Sequence, residues 1–303
     1  MKILIWIKAA RLKLHILGML PVLVGTFIAS RRTGEFQMPH FILAELITLF
    51  VLITTAFAND YADAETDRIN RNFNIFSGGS RVIPEGFISK GQMVTATVIS
   101  SSLAIIFSLI LVVFLKGNLI ILALTLIGLF AGIEYSLPPL RINYRGLGEV
   151  VVMFMYSTFC LYFGYVTQAA TDFDIGVLSP SIPLAICMFL MILITEVPDT
   201  ESDKISSKKT IPAIFGEKTS LIIYSLGAIA LYAILFVLYG TGVFNTFILS
   251  GIFLSLPLGI YVIMVSSSRK KVTPPKISAL CGMTLILNIW VNFVLVLNFA
   301  SGA

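Results

Sequence analysis

A chain of 303 residues that is 57% apolar and only 12% charged falls well short of the ~25% charge of a typical soluble domain. That composition excludes an ordinary water-soluble enzyme or binding module. The formal net charge of +5 comes without a basic stripe interleaved with aromatics, so it is read as membrane topology and not as nucleic-acid binding.

Apolar runs of roughly 18 residues or more read as membrane helices. They predict nine spans, at about 12–30, 41–58, 92–115, 118–136, 147–168, 177–196, 219–240, 244–266 and 275–299. The fold class is therefore all-α, a polytopic bundle forming a single domain over residues 1–303. The first run follows a basic start but is too long for a signal-peptide core, so no separate signal peptide is expected. His15 and His40 fall near span ends and read as interfacial residues, as does Glu45 in the second span. The second span ends in NDYADAETD, residues 59–67, where four acids fall within eight residues: Asp60, Asp63, Glu65 and Asp67. The loop that follows carries GGS; Gly78 and Gly79 suit a flexible turn. Glu134, at the end of the fourth span, is either interfacial or part of a pocket. Cys160, Cys187 and Cys281 lie far apart inside apolar runs and read as buried small hydrophobes, with no zinc or redox spacing. The sixth span ends in TEVPDTESDK, with Glu196, Asp199, Glu201 and Asp203 again within eight residues, and Pro198 marking a turn or kink.

Eighteen of the 21 Lys and Arg residues fall on one side of this arrangement, Arg269, Lys270 and Lys271 among them; only Arg31, Arg32 and Lys116 fall on the other. Positive charge gathers on the cytoplasmic side. The N-terminus and the longer loops, about 59–91, 137–146 and 196–218, are thus expected there.

Eight of the sixteen acids lie in the two windows, each directly after a cytoplasmic span end. On a continuing helix Asn59, Asp63 and Asp67 are spaced i, i+4, i+8 and share a face, with Asp60 beside them and Glu65 pointing away. Asp199 and Asp203 repeat the spacing, with Glu196 on the same face. Like charges at that spacing repel, so a cation must offset them. Oxygen-only donors without nearby His or Cys suit Mg²⁺ or Ca²⁺. Mg²⁺ commonly completes its shell with water and substrate phosphates, so the paired clusters predict a diphosphate held between them through metal ions.

At these residues the chain resembles the UbiA-type intramembrane prenyltransferases. Their NDxxDxxxD motif is matched by Asn59, Asp60, Asp63 and Asp67, and their DxxxD motif by Asp199 and Asp203. ARLKLHILGMLPVLVG is similar to their N-terminal segment, and EYSLPPLRINYRGLGEV to the segment after their fourth helix. SGGSRVIPEG looks most like the 1,4-dihydroxy-2-naphthoate prenyltransferases of menaquinone synthesis, whereas the lead-in Glu196-Val197-Pro198 departs from many of them. The resemblance implies Mg²⁺-dependent transfer of a prenyl group from an allylic polyprenyl diphosphate to a membrane-soluble, aromatic acceptor. In that reaction Asn59, Asp63, Asp67, Asp199 and Asp203 would hold metal, and Asp60 and Glu196 would ligate or orient ligands. Arg11, Arg68, Arg141 and Lys204 would contact the diphosphate. Tyr135 would face the allylic cation, with Tyr156, Phe159 and Tyr162 as weaker candidates. Alternatives are prenylation of a glycerol ether phosphate lipid and a cation-coupled secondary transporter, which would place its acids near the midplane.

Overall fold

The computed structural model describes residues 2–168, 175–266 and 272–301; Arg269, Lys270 and Lys271 of the charge count lie outside them. Among the described residues the regular structure is entirely helical. A short helix α1 (Lys2–Ala9) leads into α2 (Leu12–Thr33) and α3 (Met38–Ala62), and α4 (Ala64–Ile69) follows α3 directly. Then come α5 (Lys90–Phe114), α6 (Ile120–Glu134) and α7 (Gly148–Thr167), the last with a π-helical stretch at Met155–Phe159. α8 (Ser181–Glu196), α9 (Thr200–Ile205), α10 (Ile211–Gly240), α11 (Phe247–Ser266) and α12 (Pro274–Ala300) complete the order.

Eight of these helical segments are long and apolar enough to cross a membrane; α6 is apolar but has only 15 residues. The nine expected spans are thus present as eight long helices and one short one. At 1.5 Å per residue α6 reaches about 22 Å, less than a ~30 Å hydrocarbon core. Its start is delayed because Lys116 turns into the left-handed region and the Asn118 side chain accepts the Ile120 N–H. Other starts follow local chemistry. Ser89 and Gln92 form a reciprocal capping box on α5, and Thr210 caps α10 with Pro212 in its first turn.

The outside of the bundle is apolar: Val98, Val113, Phe130, Leu226, Phe253 and Leu254 are all more than half exposed. That surface is the counterpart of lipid, where every backbone polar group must already be paired within a helix. Inside, α2 packs on the second half of α7, α3 on α5 and α10 on α8. The α2–α7 crossing is set by two glycines. A Cβ on Gly25 would sit 1.9 Å from the Leu161 carbonyl oxygen, and one on Gly164 would sit 2.0 Å from that of Val22. Only hydrogen fits between these backbones.

The long stretch between α4 and α5 folds back over the end of the bundle. Val82, Ile83 and Ile88 bury themselves with Ala9, Phe57 and Met93, against α1 and α3. This packing brings the GGS segment between the two acidic windows.

Candidate functional site

The first window is not one unbroken helix. α3 ends at Ala62 and Asp63 caps it, yet the Asp63 N–H still bonds the Asn59 carbonyl at 2.8 Å, and the Asp67 N–H bonds the Asp63 carbonyl at 2.8 Å. These i→i−4 bonds keep the helical spacing across the break, so Asn59, Asp63 and Asp67 all line one cavity. The Asn59 amide donates to Asp63 Oδ2 (2.9 Å) and to Ser136 Oγ (3.0 Å). Asp63 also accepts from the Tyr144 hydroxyl at 3.1 Å and the Lys208 ammonium at 3.1 Å. Asp60 does not line the cavity. It is buried behind the row, bonded to the Arg11 guanidinium and to the Ser80 hydroxyl, with the Ser80 N–H a further donor at 3.2 Å. Glu65 points outward and pairs with Arg68 at 3.0 Å.

In the second window a 3₁₀ turn at Val197–Asp199, with Pro198 in it, separates α8 from α9. Glu196, Asp199 and Asp203 face the same cavity across from the first row. Asp199 is held by the intervening loop: Asn70 Nδ2 donates to Oδ1 at 2.7 Å and the Gly78 N–H to Oδ2 at 3.1 Å. Thr210, the cap of α10, donates to Asp203 at 3.0 Å. Gly78 and Gly79 both adopt positive φ, and a Cβ on Gly79 would lie 1.9 Å from Asp67 Oδ2. The GGS segment is therefore a strap that donates to Asp199 and Asp60 while leaving room for Asp67.

The basic residues sort differently from expectation. Arg11, in a left-handed conformation at the joint of α1 and α2, lines the cavity and reaches Asn59 Oδ1 at 3.1 Å. Arg68 and Lys204 are exposed and do not line it; Arg141 is also exposed and stacks on Tyr144, 3.9 Å from the ring centroid. Lys208, four residues beyond Lys204, joins Arg11 in facing the acids, turned inward after Ser207 takes a positive φ. Nothing in the basic run KISSKK distinguishes it from its neighbours before the turn is known.

Below this polar mouth the cavity, of about 270 Å³, becomes apolar. Tyr135, Tyr156 and Phe159 line it, as do Val51, Leu52 and Met188; Tyr162 does not, and pairs instead with Tyr165 at 6.5 Å between ring centroids. Glu134 also stays off the cavity and accepts the Leu140 N–H at 2.9 Å, anchoring the loop after α6. His15 is buried and lines the cavity, inside the bundle and not at its interface. All three cysteines are buried and free.

Five carboxyl groups line the mouth (Asp63, Asp67, Glu196, Asp199 and Asp203) against two cations, Arg11 and Lys208. The imbalance shows in the titration of groups outside the spans. Burial, and after it the charge of Asp63, pushes the Asp67 carboxyl up to about 7. Burial works against the Lys208 ammonium, but Asp63 and Asp203 outweigh it and hold that group above the ordinary lysine range. Asp67 Oδ2 and Glu196 Oε2 are buried without a hydrogen-bond partner among the described residues. Orphaned oxygen acceptors in a net-negative mouth fit a hard divalent cation. Among the described residues no three carboxylates converge closely enough to hold an ion alone, so part of the shell would have to come from substrate and water.

The family model of the UbiA prenyltransferase family matches residues 18–297. The chain belongs to that family. It is an intramembrane prenyltransferase. Among relatives, a 2-carboxy-1,4-naphthoquinone phytyltransferase of Synechocystis sp. is 22% identical, covering 76% of this chain and 72% of its own length. A digeranylgeranylglyceryl phosphate synthase of Natronomonas pharaonis is 24% identical over 65% of each chain. The solved structure of a UbiA homologue from Archaeoglobus fulgidus, bound to DMAPP and Mg²⁺, superposes with a TM-score of 0.68 over 96% of this chain and 98% of that one, at 17% identity. That likeness shows a shared fold.

Proposed function

We propose that this UbiA-family enzyme transfers a prenyl group from an allylic polyprenyl diphosphate to an aromatic, quinone-precursor acceptor, with Mg²⁺ at the polar mouth. The observation that carries the reading is the pair of facing carboxylate clusters at the mouth of an otherwise apolar cavity. Asn59, Asp63, Asp67, Asp199 and Asp203 would hold the metal, which neutralises the charge developing on the leaving diphosphate. Arg11 and Lys208 bind the diphosphate beside it, Arg11 through its fork geometry. Asp60 orients Arg11 from behind, and Glu196 lies at the junction of mouth and apolar wall. Tyr135 presents its ring to the allylic fragment, with Tyr156 and Phe159 further along, and the apolar lining keeps water from that carbon.

The acceptor class is supported by charge. Among the described residues, Arg11 and Lys208 are the two cationic side chains lining the cavity, and both already face carboxylates. A glycerol phosphate acceptor brings up to two further negative charges into a mouth that is already net negative, whereas a hydroxynaphthoate brings one carboxylate charge on an otherwise apolar ring. The charge asymmetry of the loops supports a cytoplasmic mouth.

The test is purified protein in detergent with labelled geranylgeranyl diphosphate, offered 1,4-dihydroxy-2-naphthoate or geranylgeranylglyceryl phosphate, with Mg²⁺ or with EDTA. Transfer to the naphthoate that disappears in EDTA is expected. Transfer to the glycerol phosphate alone would overturn the acceptor assignment, and equal transfer in EDTA would overturn the metal.

A further inference from the structure

His15 is a buried polar side chain that the metal and diphosphate chemistry leaves unused. It is 3% exposed, it lines the reaction cavity, and among the described residues neither ring nitrogen has a hydrogen-bond partner. The Ala10 carbonyl is near the ring, yet neither nitrogen completes a bond to it. A histidine kept only for packing would be expected to satisfy at least one nitrogen on the protein, because a buried unmade hydrogen bond is costly. Other polar groups on the cavity wall are satisfied in this way: Thr55, Thr125 and Thr195 each donate to a carbonyl of their own helix.

The surroundings indicate what the ring could meet. His15 lies in the first turns of α2, just beyond Arg11 at the polar mouth. Leu14 and Leu17, on either side of it in sequence, pack with Met188, Met191, Phe76 and Tyr156. One turn further, Gly18 faces Leu52 and Tyr156. This is a wall of adaptable thioethers, leucines and aromatic rings, with one unsatisfied imidazole beside it. A neutral imidazole offers one acceptor nitrogen and one N–H donor. A flat, hydroxylated aromatic ring satisfies both the wall and the imidazole; a simple alkyl chain satisfies only the wall.

We propose that His15 binds the acceptor: a ring hydroxyl of the aromatic acceptor donates a hydrogen bond to a His15 ring nitrogen, which turns that ring toward the allylic carbon while its faces rest on the Leu14, Leu17, Met188 and Met191 wall. This rests on the aromatic-acceptor reading above. It assigns to this chain a contact that neither acidic window supplies.

The experiment is steady-state kinetics of wild type, His15→Leu and His15→Gln with geranylgeranyl diphosphate, Mg²⁺ and 1,4-dihydroxy-2-naphthoate, plus inhibition by the hydroxyl-blocked 1,4-dimethoxy-2-naphthoate. In His15→Leu the KM for the naphthoate rises tenfold or more, while the KM for the prenyl diphosphate stays within twofold. His15→Gln, which keeps a hydrogen-bonding group, stays within about threefold of wild type for both. The dimethoxy compound, which has no hydroxyl to donate, inhibits wild type and His15→Leu equally. Equal KM increases for both substrates, or an unchanged naphthoate KM in His15→Leu, would overturn the proposal while leaving the functional reading intact. Wild type that alkylates no hydroxynaphthoate would overturn both together. Should His15→Leu fail to fold, His15→Phe, which fills the space without a hydrogen-bonding group, takes its place: the naphthoate KM rises tenfold or more at an unchanged prenyl diphosphate KM, and equal rises in both count against the proposal.

Discussion

Asp67→Asn separates what the polar mouth does for function from what it does for stability. Asp67 is buried, its Oδ2 has no partner among the described residues, and burial with the charge of Asp63 raises its carboxyl to about 7. An unfolded Asp titrates near ~3.9. Between about pH 4 and 7 the folded chain therefore holds a proton that the unfolded chain has released, and stability falls as pH rises through that window. At roughly 1.4 kcal/mol per pH unit the full window is worth about 4 kcal/mol. Coupling to Asp63 and Arg11 brings the expected effect to about 2–4 kcal/mol. Asn has nearly the same shape, fits the space that Gly79 leaves, and carries no charge to desolvate. In EDTA at pH 8, Asp67→Asn is therefore expected to be more stable than wild type by about that amount, with the difference shrinking toward pH 4. The same variant should lose most of the stabilisation that Mg²⁺ with a prenyl diphosphate analogue gives wild type. Thermal unfolding in detergent at both pH values, with and without metal, reads all of this. A variant no more stable than wild type at pH 8 without metal would refute the electrostatic argument.

Lys208→Met removes the ammonium 3.1 Å from Asp63 Oδ2. Breaking a buried pair costs ~3–5 kcal/mol, but Asp63 keeps its Asn59 and Tyr144 donors and faces an open mouth, so a loss of about 2 kcal/mol is expected. Unfolding measurements check that, and a tenfold or larger rise in KM for the prenyl diphosphate should accompany it. Arg68→Ala and Lys204→Ala, both exposed and off the cavity, should leave that KM within twofold; a tenfold rise in either would extend the diphosphate site beyond the mouth.

The bundle was legible in the sequence because lipid imposes a crude requirement, about 20 apolar residues per crossing, with charge swept to the ends. The acidic rows were legible for a related reason: i→i−4 bonding persists across the break at Asp63, so helical spacing held even where the helix did not. What escaped the sequence depends on how distant segments meet. Lys204 and Lys208 are equivalent in the run KISSKK until the positive φ at Ser207 turns the second one inward. Asn70, Gly78 and Ser80 donate to acids far along the chain only because the loop after α4 is packed down by Val82, Ile83 and Ile88. Asp60 reads as a fourth member of its row, yet Arg11 and Ser80 draw it behind. His15 reads as an interfacial residue near a span end; the separate helix α1 places it inside the bundle.

The two acidic windows are proposed to act together on a metal–diphosphate. The most direct test is the melting temperature of purified wild type, Asp63→Ala and Asp199→Ala with Mg²⁺, with geranylgeranyl thiodiphosphate, and with both. A ligand that binds only the folded state at 100 times its Kd stabilises by about 2.7 kcal/mol. A gain of that order is expected in wild type when metal and analogue are present together, much less with either alone, and its loss in both variants. An undiminished gain in Asp63→Ala or Asp199→Ala, or a full gain from the analogue in EDTA, would contradict that joint action.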